Sequence, residues 1–200
     1  METVEKNISP EERMYLIQTM INTARNKVAE DGFHLLLWGI LVILCCLSNY
    51  FLLATPYSAW GTNIWLILPF IGVPLGILYE RFRYKKGTVR SHFDLHIAYI
   101  WWSYSLTLVI SIVFCVYTNI SPVPFILLVT GMVTFATGKI INFIPLILGA
   151  IAFWICALLC ITVKGPEQLL LEAGSIFLGY IVPGILLWRN AKQERYVQTT

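Results

Sequence analysis

The sequence predicts an all-α protein, a polytopic membrane bundle of six transmembrane helices preceded by an N-terminal amphipathic helix. The chain has 200 residues, is 58% apolar and has a mean hydropathy of +0.72. Its apolar runs reach the ~17–25 residues that a helix needs to cross a bilayer, about twice the length of a buried strand. Because these runs also lack the alternation of a barrel strand, they argue against a soluble two-layer fold and against a β-barrel.

Three regions follow from this pattern: a cytoplasmic amphipathic helix at 1–32, a membrane domain at 33–188 and a cytoplasmic tail at 189–200. The predicted spans are Leu35–Ala54, Asn63–Tyr79, Ile97–Tyr117, Ser121–Gly138, Ile140–Val163 and Gln168–Trp188. Six spans leave no room in this length for a separate soluble domain.

The N-terminal segment carries a strong helix-start signal. Ser9 is suited to cap a helix, Pro10 to its first position, and Glu12 completes a capping box. An apolar face then recurs at helical spacing, and Gly32 is a suitable end for this helix. The residues of that face, which we name the docking face, are Met14, Ile17, Ile21 and Val28. It fits two alternatives: contact with the cytoplasmic leaflet, or docking of a protein partner or second copy.

The distribution of basic residues predicts the orientation of the bundle. All but one of the 14 Lys and Arg residues fall in the segments that six spans would place on one side, and the exception is Lys164. Because loops rich in Lys and Arg stay in the cytoplasm, both termini are predicted to be cytoplasmic. The net charge of +3 therefore reflects topology and attraction to anionic lipid, and no nucleic-acid partner is expected.

Two kinds of internal symmetry remain open. Three spans on each side of residue 120 would give inverted halves, as in many transporters. The second and sixth spans, however, end in similar segments, 73–81 and 182–189, which begin with Val73-Pro74 and Val182-Pro183. This similarity favours tandem two-helix hairpins.

A candidate transport or polar site lies in the predicted spans. Glu172 is the one acidic residue within a span, and an intramembrane carboxyl is suited to relay protons or bind a cation. The alternative is that it reaches the headgroups or pairs with Lys164. The other candidates are Tyr180, Pro183, Pro69 and Pro74, where interrupted helices frame a site or merely kink in a tight bundle. The threonines of the fourth span, Thr130, Thr134 and Thr137, are interpreted as helix-packing residues.

Other chemistry is not indicated. The pair Cys156 and Cys160 lacks further ligands in its span, and the His92-x-Asp94-x-His96 cluster lacks a third ligand on one helix face. Hydrolase, nucleotide-binding and zinc-protease motifs are missing from the sequence. We therefore predict no enzyme activity, no catalytic or metal site and no cofactor.

Several short motifs suggest a relationship to known proteins. They are 30–33 followed by 36–39, Gly138-Lys139 followed by 145–149, and 180–184. In these motifs the chain resembles a group of small six-span bacterial integral membrane proteins of uncharacterised activity. The resemblance implies a multi-pass protein of the bacterial inner membrane and supplies no functional residues.

The resulting functional prediction is a partner-binding or regulatory membrane component, because the N-terminal helix is the one organised aqueous element. The alternative is a small transporter or channel for a cation, proton or small solute.

Overall fold

The structure, a computed structural model, describes residues 9–15, 32–83 and 92–189, and this part of the chain is helical without strands. The six long helices are α1 Gly32–Leu53, α2 Ser58–Arg83, α3 His92–Thr118, α4 Val123–Ile140, α5 Ile144–Leu159 and α6 Glu167–Arg189. All except α5 are long and apolar enough, by length and composition, to cross a membrane. The predicted all-helical class is confirmed, and five of the six predicted spans form helices of membrane length.

The fifth predicted span, Ile140–Val163, forms a helix of only 16 residues. The backbone breaks before α5 because Asn142 adopts a left-handed conformation, with φ 53°, and Phe143 is extended. Turns follow Leu159, where the Thr162 hydroxyl donates to the Leu159 carbonyl over 2.9 Å. The residues of these two connections belong to the predicted span, so the helix is shorter than the apolar run.

The bundle has four inner helices and two outer ones. Helices α1, α4, α5 and α6 enclose the core, in which α4 packs along α5, α5 packs on α6, and α6 packs on α1. Helix α2 lies mainly against α1, and helix α3 lies mainly against α4. The outer helices therefore present large apolar side chains outward, such as Phe70 and Trp102, a surface compatible with lipid contact.

Small residues allow the inner helices to approach closely. A Cβ placed on Gly149 of α5 would lie 2.7 Å from the Cα of Gly179 in α6, closer than real Cβ atoms come. A Cβ on Gly179 would overlap the ring of Phe153. The two glycines thus bring the α5 and α6 backbones together, as small residues do in membrane bundles.

Helix α6 changes its winding at its centre. Residues Phe177–Ile181 form a π-helical turn, in which the Val182 amide donates to the Phe177 carbonyl. Pro183 follows directly and has no amide hydrogen to extend the regular pattern. The sequence indicated an interruption near Pro183, and the structure accommodates it by a π turn within one continuous helix.

The start of the N-terminal helix is as predicted. The Glu12 amide donates to Ser9 Oγ over 3.1 Å, and the Ser9 amide donates to Glu12 Oε2 over 3.3 Å, which is the reciprocal capping box. Met14 of the docking face is exposed. Ile17, Ile21 and Val28 lie outside the described residues, so the amphipathic helix as a whole stays a prediction.

Gly32, predicted to end that helix, belongs to α1 and is buried. A Cβ at this position would lie 2.8 Å from the Gly184 carbonyl oxygen in α6. Its small size therefore permits a close contact between α1 and α6, which is a different reason for glycine from the one that the sequence suggested.

Candidate polar site within the helix bundle

Glu172 lies in the interior of the bundle. Its side chain is only 1% exposed, and its neighbours on α6, Leu169, Ala173 and Ile176, belong to the apolar core. The Cys46 thiol of α1 lies close to the Glu172 carboxyl. Among the described residues, no protein donor reaches Glu172 Oε2. The carboxyl is thus buried and has an acceptor oxygen without a hydrogen bond.

This position is inconsistent with the interpretation of Glu172 as a residue that reaches the headgroups or pairs with Lys164. Lys164 is exposed in the loop before α6, whereas Glu172 is enclosed by protein. No ion pair joins the two within the described ranges. A polar residue at the end of a span reaches outward only if it faces lipid or water, and Glu172 faces the core.

Gln168, one helical turn before Glu172, is a second buried polar residue of the site. Its Nε2 donates to the carbonyl oxygens of Val163 and Cys160, over 2.9 Å and 3.1 Å. Its Oε1 is buried and accepts no hydrogen bond from the described protein groups. Gln168 was not among the predicted site residues because it stands at the predicted start of the span. The i, i+4 spacing from Glu172 was the signal that could have identified it.

A network of hydroxyl groups lies farther along α6. The Tyr104 hydroxyl of α3 is 3.0 Å from Thr130 Oγ1 of α4, and Thr134 Oγ1 donates to the Tyr180 hydroxyl over 3.5 Å. The Tyr104 and Tyr180 hydroxyls also lie close to each other. Tyr180 sits in the π turn, with its ring edge against Phe153 at 5.3 Å. Three helices therefore share one polar network, and the two threonines do more than pack.

The carboxyl and the hydroxyl network occupy the same helix. Glu172 and Tyr180 are eight positions apart, or about 12 Å along a helix axis. Ser175 lies between them, fully buried, and its hydroxyl donates to the Glu172 carbonyl over 2.8 Å. Buried polar groups thus occur at several positions along α6 in an otherwise apolar core.

The predicted proline positions divide between two environments. Pro183 of α6 is buried, directly after the π turn that holds Tyr180. Pro69 and Pro74 are exposed on α2, which continues through both as a single helix. The candidates on α6, which are Glu172, Tyr180 and Pro183, are therefore buried in the bundle. The prolines of α2 lie on its outside.

Within the described residues, no group of three or more His, Cys, Asp or Glu side chains is arranged to hold a metal ion. The side chains of His92, Asp94 and His96 lie outside this description. Cys160 packs in the core, and Cys156 lies against it, as the sequence interpretation of these residues proposed.

Comparisons with protein-family models, with curated proteins and with solved structures each gave no match for this chain. The resemblance to small bacterial membrane proteins therefore stays a prediction from the sequence motifs.

Proposed function

We propose that this chain is a membrane transporter or channel for a proton or small cation, with Glu172 as the group that the ion engages. One observation carries the proposal: a carboxyl that is 1% exposed inside a membrane-type bundle, with one oxygen lacking a protein donor. Such a group is costly in an apolar interior, and intramembrane carboxyls commonly mark ion or proton pathways. The hydroxyl network of Tyr104, Tyr180, Thr130 and Thr134 extends the polar groups beyond it.

The setting that we propose is the bacterial inner membrane, with six spans and both termini in the cytoplasm. Five helices of membrane length support the spanning bundle. The distribution of Lys and Arg supports the orientation. Helix α5 supports a sixth crossing because it packs between α4 and α6, and apolar residues such as Ile141 and Ile161 adjoin its ends.

The test is ion flux into proteoliposomes under an imposed gradient, for protons and for monovalent cations. We expect Glu172→Gln to reduce flux to the level of protein-free liposomes, because it keeps the shape of the side chain and removes its charge. Glu167→Gln, at an exposed acidic residue of the same helix, is the matched control and should retain flux.

Both variants must match the native protein in expression and size-exclusion profile for this comparison to hold. Failure of the folded native protein to conduct any tested ion would reject the transport function. Equal flux from the native protein and Glu172→Gln would reject the role of Glu172.

A second candidate function is partner binding through the N-terminal helix. The formed capping box of Ser9 and Glu12 and the exposed Met14 support it, since they provide a fixed helix start with an apolar residue facing outward. A protein partner or a second copy of the chain would bind the docking face, with the lipid surface as the competing ligand.

A further inference from the structure

Two buried acceptor oxygens lie one helical turn apart on the same face of α6. They are Gln168 Oε1 and Glu172 Oε2, and neither receives a hydrogen bond from the described protein groups. Their side chains are 4% and 1% exposed, so the missing hydrogen bonds belong to the protein interior and are not supplied at its surface. Two such oxygens at i, i+4 spacing are suited to bind a ligand that carries positive charge or donates hydrogen bonds.

The chemistry of its neighbours fixes the orientation of the Gln168 amide. Nε2 stands 2.9 Å from the Val163 carbonyl oxygen and 3.1 Å from the Cys160 carbonyl oxygen. A carbonyl oxygen only accepts, so the atom that faces both must be the NH2 group. The acceptor Oε1 is thereby turned away from the loop between α5 and α6. The loop holds this oxygen in place, which is how a ligand-binding group is positioned.

The Glu172 carboxyl is enclosed by the core. The thiol of Cys46, which is fully buried on α1, lies close to the carboxyl, and Oε2 receives no hydrogen bond from the described protein groups. A third buried acceptor without a described donor, Asn49 Oδ1, lies beside Gly61 between α1 and α2. Asn49 therefore belongs to a different interface. The pair on α6 stands as a distinct unit built from two helices and one loop.

We propose that Gln168 and Glu172 together bind one small monovalent cation of sodium size. This inference rests on the proposed function and names its ion. Oxygen ligands favour hard cations over the transition metals, which prefer nitrogen or sulfur. A single carboxylate matches a single positive charge, whereas calcium sites use more carboxylates and more oxygen ligands. The amide oxygen of Gln168 adds a dipole to the site.

The test measures binding directly on the full-length protein in detergent. Thermal unfolding is followed as sodium chloride replaces choline chloride at constant ionic strength and pH, and retention of radioactive sodium is measured in parallel. We expect the native protein to unfold at rising temperature with sodium, since a ligand that binds the folded state stabilises it. It should also retain a single sodium ion per chain.

Glu172→Gln and Gln168→Met should each abolish the sodium-dependent shift and sodium retention, while Glu167→Gln should preserve both. Gln168→Met removes the clamp on the loop as well as the acceptor, so Glu172→Gln is the variant that keeps the site folded. Lithium, potassium and ammonium, substituted for sodium, report whether the site selects by size or by hydrogen bonding.

The outcomes separate this inference from the proposed function. If no monovalent cation binds or stabilises the protein, yet proton flux depends on Glu172, the cation site is wrong and transport stands. If sodium binds through Gln168 and Glu172 but no ion is conducted, the site stands and transport is wrong. Sodium binding that is unchanged in both site variants overturns the inference.

Discussion

Single residues of α6 illustrate how far the sequence could indicate the site. Glu172 was identifiable because acidic residues are rare in apolar spans, and Tyr180 and Pro183 lie on the same helix. The burial of Glu172 was not predictable, because it depends on which face of α6 meets α1. Its contact with Cys46 joins residues more than a hundred positions apart, and no local pattern specifies such a pair.

Gln168, by contrast, could not be identified as a site residue from the sequence. Near a predicted helix end, a glutamine is expected to face water or headgroups, and nothing local distinguishes it from an ordinary boundary residue. Its importance arises from the loop geometry, which places the carbonyls of Cys160 and Val163 against its amide. That geometry follows from the early end of α5, which the hydropathy pattern did not reveal.

Gly149 and Gly174 differ in the space around them, and alanine substitutions should therefore have different effects. Gly149→Ala should destabilise the protein by about 1–3 kcal/mol, since the added methyl group would meet the Gly179 backbone at 2.7 Å. Gly174→Ala is the control, because a Cβ there meets nothing within 4 Å. It should be neutral or should stabilise the helix by up to about 1 kcal/mol. Thermal unfolding in detergent measures both, and equal effects from the two would contradict the close α5–α6 contact.

At the scale of the elements, charge-free runs predicted the helices well but not their internal form. Pro69 and Pro74 indicated either an interrupted second span or a kinked one, and α2 continues through both as one helix with the prolines on its outside. In α6, by contrast, Pro183 follows a π turn that is buried in the core. Proline removes a donor in either helix, but the neighbouring helices determine how the backbone responds. The response of the backbone to each proline could therefore not be predicted from the local sequence.

The N-terminal helix carries a prediction of its own. Ile17→Asp and Ile21→Asp should detach the docking face from its membrane or protein partner, since each places a charge where apolar contact is needed. Thr19→Asp, about 200° from Ile17 on a helical wheel, introduces the same charge on the opposite face and is the matched control. Limited proteolysis of membrane vesicles reports detachment as faster cleavage before Gly32.

Crosslinking mass spectrometry of the protein purified in mild detergent then distinguishes the two occupants. A partner or second copy crosslinked near the docking face in the native protein, but not after Ile17→Asp, supports docking. Unchanged protease protection in both isoleucine variants would remove this face from consideration.

At the scale of the whole molecule, hydropathy predicted a helical bundle but not which helices lie inside. Lipid and protein core are equally apolar, so an exposed helix such as α3 has the same composition as a buried one. Glycine content does not separate them either. Helix α3 has no glycine and is peripheral, but the peripheral helix α2 carries Gly61, Gly72 and Gly76, as many glycines as the inner helix α6. The inner position of α6 therefore depends on the contacts of the folded bundle and could not be predicted from composition.

The number of membrane crossings depends on whether α5 spans the bilayer. Its 16 residues extend about 24 Å, less than the ~30 Å hydrocarbon core, so its length alone leaves five or six crossings open. With five, the tail that carries Arg189, Lys192 and Arg195 would lie outside, against the tendency of basic segments to stay in the cytoplasm. Six crossings place it inside. Reporter fusions at residue 87 and at the C-terminus should therefore report cytoplasm, and fusions at 58 and 164 the exterior. A cytoplasmic residue 164 with an external C-terminus would show that α5 does not cross, whereas an external residue 87 would overturn the charge argument itself.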